Sequence, residues 1–294
     1  MANADDPLPD LIRNLRSPAP DARARSARAL GRLGWLARDS LPLLVAALAD
    51  ADAGVREAAA QAVGQMGPEA LPYLTKMLAH EDKYVRRNAV WAIGKLGALA
   101  KGSVPTLCET LHDPDPRTAS GAAQALGNMG SDASEAVPPL TEAMRGTNIV
   151  LCRMAAKALS QIGKPALASL IAHLRHRDPF VRGEAALAIG WMGAVAAPAV
   201  PGLVDVLRTG AKPSPAQLRP VQPTSSHTPV TGVTPPPSAA PSADDTSRAY
   251  AAQALGRIGL AASAATPVLE EATRDAVEQV RQSAAQALKL IQGG

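Results

Sequence analysis

The 294-residue sequence holds two cysteines, Cys108 and Cys152, 44 residues apart. That is too few, and too far apart, for a disulfide scaffold or a CxxC metal knuckle. Both read as small apolar groups inside helical patterns. No apolar run approaches a membrane span, and the opening MANADDPLPD carries acids where a secretory signal needs a basic and then an apolar stretch. The expected compartment is the cytoplasm, with no membrane partner. Catalytic signatures are missing too: there is no Gly-rich phosphate loop, nucleophile elbow or Ser-His-Asp order. The one His-Glu pair, His80-Glu81, falls in a turn, and one pair on a loop cannot build a two-metal site. His173 and His176, in IAHLRHRD, have clasping spacing but no third convergent ligand, and read as polar helix-end residues. The reading is therefore a non-enzyme with no catalytic residue, no metal and no cofactor.

What the chain does have is a core and a repeat. It is 47% hydrophobic and 19% charged, enough to bury a core over most of its length. The phrase VREAAAQAVGQMG at Val55 returns as VRRNAVWAIGKLG at Val85, VRGEAALAIGWMG at Val181 and SRAYAAQALGRIG at Ser247. With their upstream context these phrases form units of 30 or 33 residues starting near Leu8, Leu41, Leu71, Val104, Val137, Leu167, Val200 and Thr266. Each holds a helical pattern of about ten residues, a polar turn, a second of about thirteen and a glycine, and such a period means a solenoid.

The joints agree with that assignment. Pro after the opening residue suits a first helical turn. Asp52, Asp82, Asp115, Asp178 and Asp244 stand where a carboxylate caps the second helix. Gly34, Gly67, Gly97, Gly130, Gly163, Gly193 and Gly259 can take the left-handed conformation that ends it. Two residues before the first glycine position of the second helix, alanine recurs in every unit: Ala29, Ala62, Ala92, Ala125, Ala158, Ala188, Ala254 and Ala287. Such small side chains let helices approach closely, while the following Leu30, Val63, Ile93, Leu126, Leu159, Ile189, Leu255 and Leu288 fill the layer between.

The seventh unit is interrupted. From about Thr209 to Ala243 the text has nine prolines, one leucine and no acid, and reads as a disordered, partly polyproline spacer. Ser214, Thr228 and Thr234 each precede Pro and are candidate phosphorylation residues there.

The repeated pattern, VP-x-L-x-x-x-L followed by D-x-x-VR-x-x-A-A-x-A-L-G-x-I-G, resembles HEAT repeats of the short bacterial subtype called PBS-lyase-like, over roughly residues 8 to 292. The resemblance implies an all-α fold, a right-handed α-solenoid of about eight two-helix repeats in one domain, whose second helices line the concave surface. It also implies a structural ladder between the Asp before the second helix and an Arg in its first turn, here Arg23, Arg56, Arg86, Arg182, Arg248 and Arg281. Ala119 and Cys152 stand at that Arg position in units four and five and predict a softer ladder there. Bilin lyases and deoxyhypusine hydroxylase share this repeat, as does a family of DNA glycosylases that grips the DNA backbone with a basic concave face. No catalytic constellation of any of them is matched.

Helical spacing turns three columns outward: seven and three residues before the first glycine position, and one after it. Of those 24 positions seven are basic (Arg28, Arg32, Arg87, Lys95, Arg153, Lys157 and Arg257) and one, Glu57, is acidic, whereas the whole chain has 30 basic and 26 acidic residues. Trp91 and Trp191, two of the three tryptophans, also fall there. Net charge of +4 agrees with an anionic partner. The expected function is a protein-interaction scaffold that receives an extended, acidic partner, with Trp91 and Trp191 as anchors and these cations as contacts. Nucleic-acid backbone binding on the same surface is the alternative, and a bilin-lyase-like chromophore-loading role the second. The plain competing account is a solvated helix face with both indoles packed against loops.

Overall fold

A computed structural model describes residues 7–209 and 242–293. The proline-rich insertion, with Ser214, Thr228 and Thr234, lies outside the described residues. Every regular element among the described residues is helical. The chain divides into two compact units, Met1–Ser169 and Leu170–Gly294, with the division inside one short helix.

In the first unit, short and long helices alternate: α1 (Leu8–Asn14), α2 (Pro20–Leu33), α3 (Leu41–Ala46), α4 (Ala53–Gln65), α5 (Leu71–Met77), α6 (Lys83–Leu96), α7 (Val104–Thr110), α8 (Pro116–Asn128), α9 (Val137–Ala143) and α10 (Ile149–Ile162). After α11 (Leu167–His173) at the division, the second unit continues with α12 (Pro179–Met192), α13 (Val200–Thr209), α14 (Ala243–Ile258), α15 (Thr266–Ala272) and α16 (Glu278–Gln292). Proline stands in the first turn of α1, α3, α5, α7, α9 and α15. Its missing N–H is not needed there.

Four of the five expected caps form. The carboxylates of Asp52, Asp82, Asp115 and Asp178 accept backbone N–H bonds from Val55, Tyr84, Thr118 and Phe180 at 2.7–3.0 Å. Asp244 is the exception, because α14 begins earlier: Ser242 caps it in a reciprocal box with Asp245, and Asp244 pairs instead with Arg182. The seven closing glycines all have positive φ, from 54 to 94°. Gly34 (ψ −129°) and Gly67 (ψ −171°) lie outside the ordinary left-handed helical well, in a region open essentially to glycine alone.

The long helices of successive repeats pack along a glycine–alanine seam. A Cβ built on Gly31 would lie 2.7 Å from Ala62 Cα; on Gly127, 2.9 Å from Ala158 Cα; on Gly190, 2.9 Å from Ala254 Cα; on Gly256, 2.7 Å from Ala287 Cα. Gly94 faces Ala125 while Gly97, three residues on, faces the carbonyl of Asn128, and Gly127 and Gly130 meet Ala158 and Gln161 in the same order, so these long helices run parallel. Only the missing side chain permits that backbone approach. Leu30, Val63, Ile93, Leu126, Leu159, Ile189 and Leu255 are fully buried beside it. Leu288 is half-buried, since no helix covers α16 from beyond among the described residues.

The arginine ladder exists in a different register from the expected one. Arg23 binds Asp50 through two bonds of 2.7 Å, and Arg86 binds Asp113 at 2.6 and 2.9 Å. Arg248, 3% exposed, grips Asp275. These acceptors stand two residues before the cap position. Each of these carboxylates is itself fixed by a backbone N–H two residues on, from Asp52 to Asp50 at 2.9 Å, Asp115 to Asp113 at 2.8 Å and Val277 to Asp275 at 2.9 Å. Each ladder Arg outside α14 also donates to carbonyls five and six residues upstream, as Arg56 does to Ala51 and Asp50 at 2.9 and 2.7 Å. At Cys152 the thiol instead meets the Met144 carbonyl at 2.8 Å.

One stretch qualifies the reading that no apolar run is of membrane length. Pro179–Thr209 is helical for 31 residues with mean hydropathy 1.7 in its most apolar window. It is not one rod, because Gly193 breaks it at φ 62°, ψ −142° and a short 3₁₀ segment separates α12 from α13.

Candidate functional site

In the first unit, the columns three before and one after the seam glycine emerge as expected. Arg28, Arg32, Gln61, Gln65, Trp91, Lys95, Gln124, Asn128, Lys157 and Gln161 are exposed. The column seven before does not emerge uniformly. Seven residues of about 100° each return to within about 20° of the seam, so the small side chains Ala24, Gly183 and Ala249 are buried and only long ones such as Glu57 and Arg153 reach water. Ten residues before the glycine lies at about 80°, between the two outward columns. This column, holding Tyr84, Arg117 and Val150, belongs to the surface and was missed. The angular sum alone would have found it.

Arg87 is not available as an outward contact. Its guanidinium holds Asp115 through a fork, 2.6 Å on one arm. Asp115 also accepts from the Thr118 backbone and hydroxyl at 2.9 and 2.8 Å. The Arg87 bond above all holds its carboxyl far below the usual carboxylate range, against the opposing effect of burial. The Tyr84 ring centre lies 5.2 Å from both the Arg87 and Arg56 guanidinium carbons and 5.5 Å from the Lys83 ammonium, so its face attracts each of these cations.

Trp91 is 43% exposed, with the Lys95 ammonium 4.9 Å from its ring centre. Beside it, a groove of about 390 Å³ runs between α6, α8 and α10, with Trp91 and Lys95 on one wall, Val150 and Met154 on the other, and Ser120 and Gly121 in the floor. No acidic residue lines it. Arg28, Arg32, Lys95, Arg117 and Lys157 have no ion-pair partner among the described residues. Arg153 is exposed on α10 near the same face.

In the second unit Trp191 is 47% exposed and Arg257 is exposed, its stem packed over Gly190. Leu187 and Gln253 are half-buried. Both outward indoles are thus open to water rather than sealed under loops.

The thiols are poor nucleophiles. Burial pushes Cys108 up from its ordinary range, with Glu135 and Glu109 adding to the effect, and Cys152 is buried. The rings of His173 and His176 stack 6.0 Å apart, and His176 Nδ1 accepts the Asp178 backbone N–H at 3.1 Å. That bond uses one lone pair a metal would need. Among the described residues no group of three or more His, Cys, Asp or Glu is placed to hold an ion.

Against known proteins, the family model of HEAT repeats matches residues 8–82, 71–154 and 137–216. Among curated proteins none matches in sequence. Three similar solved structures are an engineered protein (20% identity, 98% of this chain, 79% of that one, TM-score 0.46), a designed armadillo repeat protein in complex with the peptide (KR)4 (21%, 64%, 100%, 0.45) and the complex of CpcE and CpcF of phycocyanin lyase from Nostoc sp. PCC7120 (19%, 100%, 96%, 0.44). With its helix pairs, its glycine–alanine seam and family matches over most of its length, the chain belongs to the HEAT-repeat family.

Proposed function

We propose that the protein is a non-catalytic binding scaffold whose outward face in the first unit receives an extended, acidic segment of a protein partner. One observation carries this reading: an exposed indole stands among cations that have no carboxylate partner, although carboxylates elsewhere in the unit are used carefully to neutralise arginine. Arg23, Arg86 and Arg87 each take an Asp, while Arg28, Arg32, Lys95 and Lys157 remain open. Charge of one sign supplies steering, the indole supplies desolvated contact area, and Gln61, Gln65, Gln124 and Asn128 supply adaptable hydrogen bonds. In the second unit Trp191 and Arg257 form a smaller patch of the same composition. Phosphate-backbone gripping asks for a denser basic stripe than the amides of α4 and α8 provide.

The test is a salt titration of full-length protein with a labelled glutamate-rich peptide and, in parallel, with duplex DNA. The reading expects saturable peptide binding that weakens with salt, and DNA binding weaker than peptide binding at every salt concentration. Tight, sequence-independent DNA binding would overturn it in favour of nucleic acid.

A further inference from the structure

We infer that the groove between α6, α8 and α10 is an anchor pocket for one large apolar side chain, and that its occupant is an acidic segment with carboxylates two residues to either side of that anchor. This deepens the proposed function and rests on it.

The heights of the lining residues follow from the seam. Gly94 faces Ala125, and Gly127 faces Ala158, which sets α6, α8 and α10 in register. Met154 stands four residues before Ala158, and Ala158 sits level with Gly127, two residues beyond Ala125. Transferred to α6, Met154 therefore lies two residues below Gly94. Trp91 lies three below Gly94, so indole and thioether face each other at one height, within about 1.5 Å along the axis. Thioether sulfur and indole make a favourable apolar pair around a guest. The exposed Val150, at 57%, extends the apolar wall downward.

The cations bracket this pair. Lys95 is four residues above Trp91, about 6 Å of rise. Arg117 stands eight residues before Ala125, hence five below Trp91, or about 7.5 Å. An extended peptide covers about 7 Å in two residues. A chain seated along the groove thus brings a carboxylate to each cation when its acids lie two residues before and after the buried anchor. The depth comes from Gly121. Its column holds Asn88 in the preceding repeat and Met154 in the following one, and without a side chain at 121 the α8 backbone becomes the floor. Val90 occupies part of that room, 3.0 Å from where a Gly121 Cβ would stand. With no acid in the lining, the groove is complementary to such a segment in charge as well as shape.

The experiment uses the full chain and two blocked nonapeptides of equal charge, with glutamate at positions one, three, seven and nine and either leucine or glycine at position five. The leucine peptide should bind at least tenfold tighter, as burial of one leucine side chain implies. Ser120→Leu, which fills the groove and leaves every charge in place, should remove that advantage without weakening the glycine peptide, and Val150→Ser should reduce it. Equal binding of the two peptides overturns the anchor pocket while the acidic-partner reading stands. An undiminished leucine preference in Ser120→Leu also overturns it, by placing the apolar contact elsewhere. Binding of neither peptide overturns both readings together.

Discussion

Gly→Ala at two equivalent seam positions of the first unit should have opposite effects. In a helix interior this substitution favours folding by about 0.5–1 kcal/mol, because alanine loses less backbone freedom. At Gly94 the new methyl would meet Ala125 Cα and Cβ at 3.4 Å, an ordinary contact. At Gly127 it would lie 2.9 Å from Ala158 Cα and 3.2 Å from its Cβ, with Gln161 Oε1 closer still. The Gln161 side chain can swing away, but the α10 backbone cannot yield without opening the seam, and overpacking of this kind costs about 1–3 kcal/mol. Gly94→Ala should therefore stabilise by about 0.5 kcal/mol or more, and Gly127→Ala should destabilise by about 1–2 kcal/mol after the propensity gain is deducted. In urea unfolding followed by circular dichroism, the midpoint should rise for the first and fall for the second with little change in slope. Equal shifts of the same sign would refute the claim that seam contact, rather than helix propensity, decides these positions.

Three further outcomes are expected. Arg248→Ala leaves the Asp275 carboxylate, 10% exposed on its side chain, without its fork and should destabilise the second unit by about 3–5 kcal/mol, read by thermal melting; a loss below about 1 kcal/mol would mean the pair behaves as a surface bridge. Asp50 and Asp115 are both held low, first of all by their arginine partners, so the folded state binds their protons more weakly than the unfolded chain does. Their stabilisation is complete above the ordinary carboxylate pKa of about 4 and is lost as pH falls below it; Asp115→Asn should flatten that acid limb in pH-dependent melts, and an unchanged limb would assign the effect to other carboxylates. Trp91→Ala together with Trp191→Ala should weaken partner binding by about 2–4 kcal/mol in titration while melting stays nearly constant, whereas collapse of melting would return both rings to the core.

Most of the fold was legible because it depends on spacing that repetition makes visible. Alanine two residues before each seam glycine and the glycine after each long helix recur often enough to identify the helix pair. The ladder was misplaced because two aspartates, such as Asp113 and Asp115, stand two residues apart, and only geometry shows that the ladder arginine, here Arg86, takes the earlier one. Arg87 was read as outward because its column contains long side chains that do emerge, such as Arg153. Pairing with Asp115 is a contact 28 residues away that no local pattern announces. The groove itself was invisible for a related reason. It arises from the glycine at 121 and from the relative heights of Trp91 and Met154 on two different helices, and both become readable only once the seam register is known.

The most direct test of the central claim is the affinity of the full chain for a glutamate-rich peptide before and after Lys95→Glu with Lys157→Glu, two substitutions at exposed side chains that keep the Cβ of each. The account predicts at least a tenfold loss at low salt, shrinking as salt is raised, with unchanged melting. An affinity that does not move, or that falls equally at high salt, would contradict an open cationic face as the surface that meets the partner.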